Sequence, residues 1–184
     1  IGIVGGTASG FNLEYADLNN DGRLDIIGAI GTESLTSALG WLEQPEQRDS
    51  AWIHHPIGSL VPDAITGILM TDIDNDGDSD VFVGSYSSGP REGDGEVTAE
   101  DALGRLAWFE NPGGTAVLSS LWRRHDVSRR KRGMFDKFIA RDMDGDGDTD
   151  LLGTRGNSAP FDGVFWLEQQ RSSEPRARFT PARQ

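Results

Sequence analysis

The chain has 184 residues, enough for one well-buried domain, with 36% hydrophobic and 26% charged residues, 24 glycines and 5 tryptophans. No apolar run approaches the ~20 residues of a spanning helix, so no transmembrane segment is expected, and the lack of cysteine excludes disulfides, thiolate metal sites and cysteine nucleophiles. The net charge of −13 is uneven: residues 1–121 hold 4 Lys and Arg against 20 Asp and Glu, a net −16, and residues 122–184 hold 13 against 10, a net +3, which makes nucleic acid a poor partner.

The sequence starts at Ile1 without a basic-then-apolar leader, and a processed or truncated N-terminus is expected. From there it repeats itself. An apolar segment, an acidic loop and a second apolar segment read LEYADLNNDGRLDIIGAIG at 13–31, followed by the tryptophan strand GWLEQP at 40–45 and by WIHHPI at 52–57. The second copy is ILMTDIDNDGDSDVFVGSY at 68–86, AWFENP at 107–112 and WRRHDV at 122–127. The third is FIARDMDGDGDTDLLGTRG at 138–156, FWLEQQ at 165–170 and the degenerate ARFT at 177–180.

The segments are short, rich in Ile, Val, Leu, Phe and Trp, and punctuated by glycine, with no helical stripe sustained over three turns. This predicts an all-β chain: one repeat domain, with repeats at about 12–57, 67–127 and 137–180 of roughly four strands each. Four-stranded units at this spacing suit propeller blades with loop insertions.

Each acidic loop has a metal-ligand pattern. In the second, Asp72, Asp74 and Asp76 alternate, Gly77 permits a sharp turn, Asp78 offers its carbonyl and Asp80 closes the loop. Hard oxygen donors at alternate positions suit calcium, whereas magnesium prefers a tight octahedron that keeps several waters. The third loop matches with Asp142, Asp144, Asp146, Asp148 and Asp150. The first has Asp17, Asn19, Asp21, Arg23 and Asp25, so it carries less negative charge and ranks as the weakest site. An EF-hand needs a Glu at the twelfth loop position, which is Gly28, Val83 or Gly153 here.

The Asp-x-Asp-x-Asp-Gly-x-x-Asp loop and the following Trp-[Leu/Phe]-Glu-[Asn/Gln]-Pro strand resemble the FG-GAP or VCBS repeats of bacterial exported proteins and of the integrin α-subunit head, across roughly residues 12–180. The resemblance implies a propeller of seven or so blades. Three blades do not close a ring, which leaves a fragment of a longer propeller, a short chain completing a ring with partners, or an open array of blades covered by another protein.

Trp41, Trp108 and Trp166 recur in register, as do Trp52 and Trp122, which favours core packing over sugar stacking. His54 and His125 read as the recurring histidines, serving the repeat and not a catalytic site. The insertion at 87–105, the basic stretch with Arg123, Arg124, Arg129, Arg130, Lys131 and Arg132, and an extended arm at 174–184 are the candidate contacts for an acidic protein face, a glycan or an anionic surface.

No nucleophile triad, phosphate loop or zinc motif is present, and the expected function is a non-catalytic, calcium-stabilised interaction module of an exported or membrane-peripheral assembly. Calcium sites of this kind fit a periplasmic, surface or secreted location, where the ion is abundant. The alternative is a lectin or part of a propeller-fold polysaccharide lyase, activities that the resemblance also implies.

Overall fold

The computed structural model describes residues 3–4, 7–31, 37–61, 63–87, 105–129, 133–156, 162–170 and 178–181. The described chain is built from β-strands, with one 3-10 turn at Gly114–Leu118 and no α-helix among the described residues. None of its elements is a helix long and apolar enough to cross a membrane.

After β1 (Ile3–Val4), twelve strands form three antiparallel meanders. The first is β2 (Thr7–Ala16), β3 (Asp25–Gly31), β4 (Ala38–Glu43) and β5 (Trp52–Ser59). The second is β6 (Ala64–Thr71), β7 (Asp80–Ser87), β8 (Arg105–Glu110) and β9 (Arg123–Arg129). The third is β10 (Gly133–Arg141), β11 (Asp150–Gly156), β12 (Gly163–Gln170) and β13 (Arg178–Pro181). β1 runs parallel to β5, and β10 also meets β7 at Gly133↔Ser87 and Met134↔Tyr86. Within the segment read as an extended arm, Arg178–Pro181 lines the edge of β12, where it occupies backbone groups that would otherwise be open.

The unbroken apolar runs of the middle strands follow from burial on both faces. Successive residues of a strand point to opposite sides, and both sides of the second meander are covered. Val81 and Val83 of β7 and Phe109 of β8 enter one core with Ile27, Leu39 and Trp41 of the first meander. Phe82 and Trp108, one residue out of phase, enter a second core with Phe135, Phe138 and Phe165 of the third. Each such side chain contributes roughly 1.5–3 kcal/mol by leaving water. At Gly67 this packing leaves no room for a side chain, because a Cβ there would lie within 2.4 Å of the Phe135 carbonyl oxygen and against the Phe138 ring.

The first strands of the meanders are also tied together by polar groups. The Asn12 amide donates to the carbonyls of Thr66 and Asp136 at 2.7 and 2.6 Å, and the Thr66 hydroxyl donates to the carbonyl of Phe135 at 3.0 Å.

Candidate metal centre

Each acidic loop joins the first two strands of a meander, and all three have the same backbone shape. The fourth residue is left-handed in each, Asn20 at φ 59°, Asn75 at 63° and Gly145 at 81°, and so is the sixth, Gly22, Gly77 and Gly147 at 83°, 98° and 93°. Asparagine and glycine are the residues that enter this region at least cost. These two reversals let the first aspartate fold over the turn. Asp17 accepts from the amides of Asp21 and Gly22 at 3.0 and 2.8 Å, Asp72 from those of Asp76 and Gly77 at 3.2 and 3.1 Å, and Asp142 from those of Gly145 and Gly147 at 2.7 and 3.1 Å.

The ninth residue anchors the loop from below. Asp25, Asp80 and Asp150 are buried, and each accepts from two backbone amides. One is the loop's second residue, Leu18, Ile73 or Met143, at 3.0, 2.9 and 2.9 Å. The other closes the tryptophan strand, Gln44, Asn111 or Gln169, at 2.9, 2.8 and 2.9 Å. Burial pushes the Asp80 carboxyl up to about 7 against these two hydrogen bonds, and pushes Asp25 up as well.

Two loops bring carboxylates together in a way that can hold a metal ion. Oxygens of Asp72, Asp74 and Asp80 lie within 4.8 Å of one another, as do those of Asp142, Asp144 and Asp146. Asp74 Oδ1 is shielded from solvent and lacks a hydrogen-bond partner, which is the condition of an oxygen that a cation would satisfy. Desolvation, then the nearby charge of Asp76, raises its carboxyl. An all-oxygen, multiply charged set of this kind fits a hard cation.

The remaining predicted ligands are used differently. Asp76 Oδ1 accepts the amide of Asp78 at 2.9 Å, and Asp146, besides its place in the third loop's trio, accepts that of Asp148 through Oδ1 at 2.9 Å. The Asp78 carboxylate lies against Gly113, where an added Cβ would be 2.5 Å from Oδ2. In the first loop the Arg23 guanidinium bonds the Asp21 carboxylate and its Nε donates to the Gln44 carbonyl at 2.9 Å, so an internal cation occupies that carboxylate. Among the described residues this loop holds no converging carboxylate trio.

Two glutamates escaped the motif reading. Glu43 ends β4 and accepts from the Asn19 amide at 3.3 Å, and the charge of Glu110, at the end of β8, helps raise Asp74. Both therefore face the third loop position. Each is held by a histidine: His55 Nε2 at 2.8 Å from Glu43, stacked on Trp41 with centroids 4.3 Å apart, and His125 Nε2 at 2.6 Å from Glu110, stacked on Trp108 at 4.1 Å. The recurrence of Glu two residues after Trp41, Trp108 and Trp166, as Glu43, Glu110 and Glu168, was the available signal.

This corrects the histidine pairing: His55 and not His54 corresponds to His125. His55 and His125 lie opposite Trp41 and Trp108 in the strand register, whereas His54 points to the other face, where its ring covers Gly40.

Trp41, Trp108 and Trp122 are buried and Trp52 and Trp166 half-buried. Of the basic stretch, Arg124 is turned inward, donating to Asp126 and, at 2.8 Å, to the Ser59 carbonyl, while Arg123 is exposed and reaches Glu110 only at 4.0 Å. The side chain of Arg129, all of Arg130, Lys131 and Arg132, and most of the 87–105 insertion lie outside the described residues. In comparisons with known proteins, the chain matches no family model and has no significant match among curated proteins.

Proposed function

We propose that the acidic loops are calcium sites that staple propeller-type blades, and that the chain is a non-catalytic protein-interaction module. The observation that carries this reading is the shared loop geometry. One buried aspartate ties each loop to its tryptophan strand, and in the second loop Asp74, which has a solvent-shielded oxygen without a partner, comes within 4.8 Å of the carboxylates of Asp72 and Asp80.

In this reading Asp72, Asp74 and Asp80 hold one ion, with Glu110 beside it, and Asp142, Asp144 and Asp146 hold another. The weaker first site uses Asp17, Asn19 and Asp25. The ion neutralises carboxylates that otherwise repel within one hairpin, so its work is mechanical. Burial of Trp41 and Trp108 removes the two best sugar platforms, which favours a scaffold over a lectin or a lyase. Calcium sites of this kind suit a compartment outside the cytosol, which favours an accessory subunit of an exported or membrane-peripheral assembly.

The test is calorimetric titration of the EGTA-stripped protein with calcium, paired with thermal melts. Two stronger sites and one weaker one are expected, with a melting temperature that falls on chelation. An unchanged melt in excess EGTA, with no binding heat, rejects the reading.

A further inference from the structure

A buried hydrogen bond joins the third meander to the second acidic loop. Gln169, next to last in β12, is 2% exposed, and its Nε2 donates to the carbonyl of Ile73 at 2.7 Å, across 96 residues of chain. A carbonyl only accepts, so the side-chain amide presents its nitrogen there, and Gln169 Oε1 is left buried without a partner.

The bond lands on a residue already committed to its loop. The Ile73 amide donates to Asp80 at 2.9 Å, and the Gln169 backbone amide donates to Asp150 at 2.9 Å. The anchoring aspartates of the second and third loops are therefore the two ends of one chain, running from Asp80 through Ile73 and Gln169 to Asp150. The Ile73 side chain, 1% exposed, packs in the same core as Leu151 and Leu167 of the third meander, so apolar contacts surround this polar chain. Away from water such bonds are strong, and losing one leaves a costly unpaired group.

Asn111, the counterpart of Gln169 in the second meander, uses its side chain differently. Its Nδ2 donates to the Ser79 carbonyl at 3.1 Å and its Oδ1 accepts from the Gly113 amide at 3.0 Å. Both bonds stay within its own meander, and among the described residues no such chain runs from Asp80 to the first loop.

From this we infer that Gln169 couples ion binding at the second and third loops, while the first loop binds independently of them. An ion in the third loop fixes Asp150 and the Gln169 backbone, whose side chain then holds the Ile73 peptide where it meets Asp80. The second ion finds its loop already ordered and loses less conformational entropy on binding. By linkage the effect is reciprocal, each ion raising the affinity of the other loop by the same factor. The coupling deepens the calcium reading and rests on it; Gln169 is a positioning residue that acts through Ile73.

The experiment is calorimetric calcium titration of the EGTA-stripped chain and of two variants with one loop disabled, Asp74→Ala and Asp144→Ala. Disabling the third loop is expected to lower affinity at the second at least about fivefold, and disabling the second to lower the third by the same factor. Affinity at the first loop stays unchanged in both. Gln169→Met keeps the length of the side chain and removes the donor, and in its background these differences are expected to vanish. A merely structural Gln169 would lower the metal-free melt and leave them intact. Because Gln169→Met leaves the buried Ile73 carbonyl bare, a second measurement keeps Gln169 in place. In Asp74→Ala, calcium in the third loop is expected to slow hydrogen exchange at the Ile73 amide severalfold.

A second loop indifferent to the third, a difference that survives Gln169→Met, or equal coupling to the first loop would each overturn the inference. So would an Ile73 amide that ignores calcium in Asp74→Ala. Those outcomes leave the calcium sites standing, whereas absent binding heat with an unchanged melt in EGTA rejects both.

Discussion

The first and second acidic loops have the same backbone and differ in how they handle charge. Both turn through left-handed residues at the fourth and sixth positions and both hang a buried aspartate from two amides. In the first loop Arg23 folds back onto Asp21, and Asn19, as a neutral amide, donates to Glu43. In the second Asp78 and Asp74 replace them; burial first, and then the charges of Asp74 and Asp76, raise the Asp80 carboxyl to about 7, and one Asp74 oxygen is left without a partner. The contrast separates the loop as a turn, which the backbone makes by itself, from the loop as an ion site, which needs charge the protein does not neutralise.

The sharpest test of that separation is to remove the anchoring aspartate from each loop. Asp80→Ala leaves the amides of Ile73 and Asn111 buried without acceptors and takes a ligand from the ion, for about 5 kcal/mol in saturating calcium. Asp25→Ala orphans the amides of Leu18 and Gln44 but gives up little ion binding, for about 3 kcal/mol. Urea melts in calcium measure both, and equal losses would erase the distinction between the loops.

Next in size is pH. The folded, metal-free protein prefers Asp80 protonated, with its carboxyl near 7 against an ordinary 3.8. Its ionisation therefore opposes folding fully above pH 7, and the penalty, at most on the order of 4 kcal/mol, fades as pH falls toward 3.8. In EGTA the urea midpoint is expected to rise as pH drops from about 7.5 to about 5.5, and Asp80→Asn to flatten that slope. Calcium, by compensating the ionised form, removes the slope as well. A midpoint that falls identically in wild type and variant would show that Asp80 is not strained.

A smaller effect comes from rebuilding the first loop. Arg23→Asp supplies the residue found at Asp78 and Asp148 and frees the Asp21 carboxylate. Calcium affinity at this site is expected to rise at least about tenfold by calorimetry, while the metal-free protein melts lower. Unchanged affinity would mean that the Arg23 pair is not what weakens the site.

Much of this was legible in the sequence because it lies in local spacing. The loop positions and the strands around them follow from residues within one repeat, whereas burial of the second meander on both faces comes from the meanders on either side. Pairing across strands was less accessible. Whether His54 or His55 stacks on Trp41 depends on which strand face each occupies, and a shift of one residue reverses it. The spacing from Trp52 to His55, matching Trp122 to His125, carried that information. The inward turn of Arg124 onto the Ser59 carbonyl joins residues 65 apart, which no local pattern announces. Likewise, Arg23 was visible as a missing ligand but not as the cation that replaces one, since that depends on where its side chain folds.

The smallest effect tests the half of the comparison that holds the loops equal. Gly22 and Gly77 have φ of 83° and 98°, and a methyl added to either meets nothing within 4 Å. Substitution by alanine therefore costs only the left-handed conformation, about 1 kcal/mol in each loop. Gly22→Ala and Gly77→Ala are expected to lower the metal-free urea midpoint by the same amount, although one loop carries an internal cation and the other does not. If Gly77→Ala cost several times more than Gly22→Ala in EGTA, the turn and the ion site would not be separable, and charge would be shaping the backbone of the second loop even without metal.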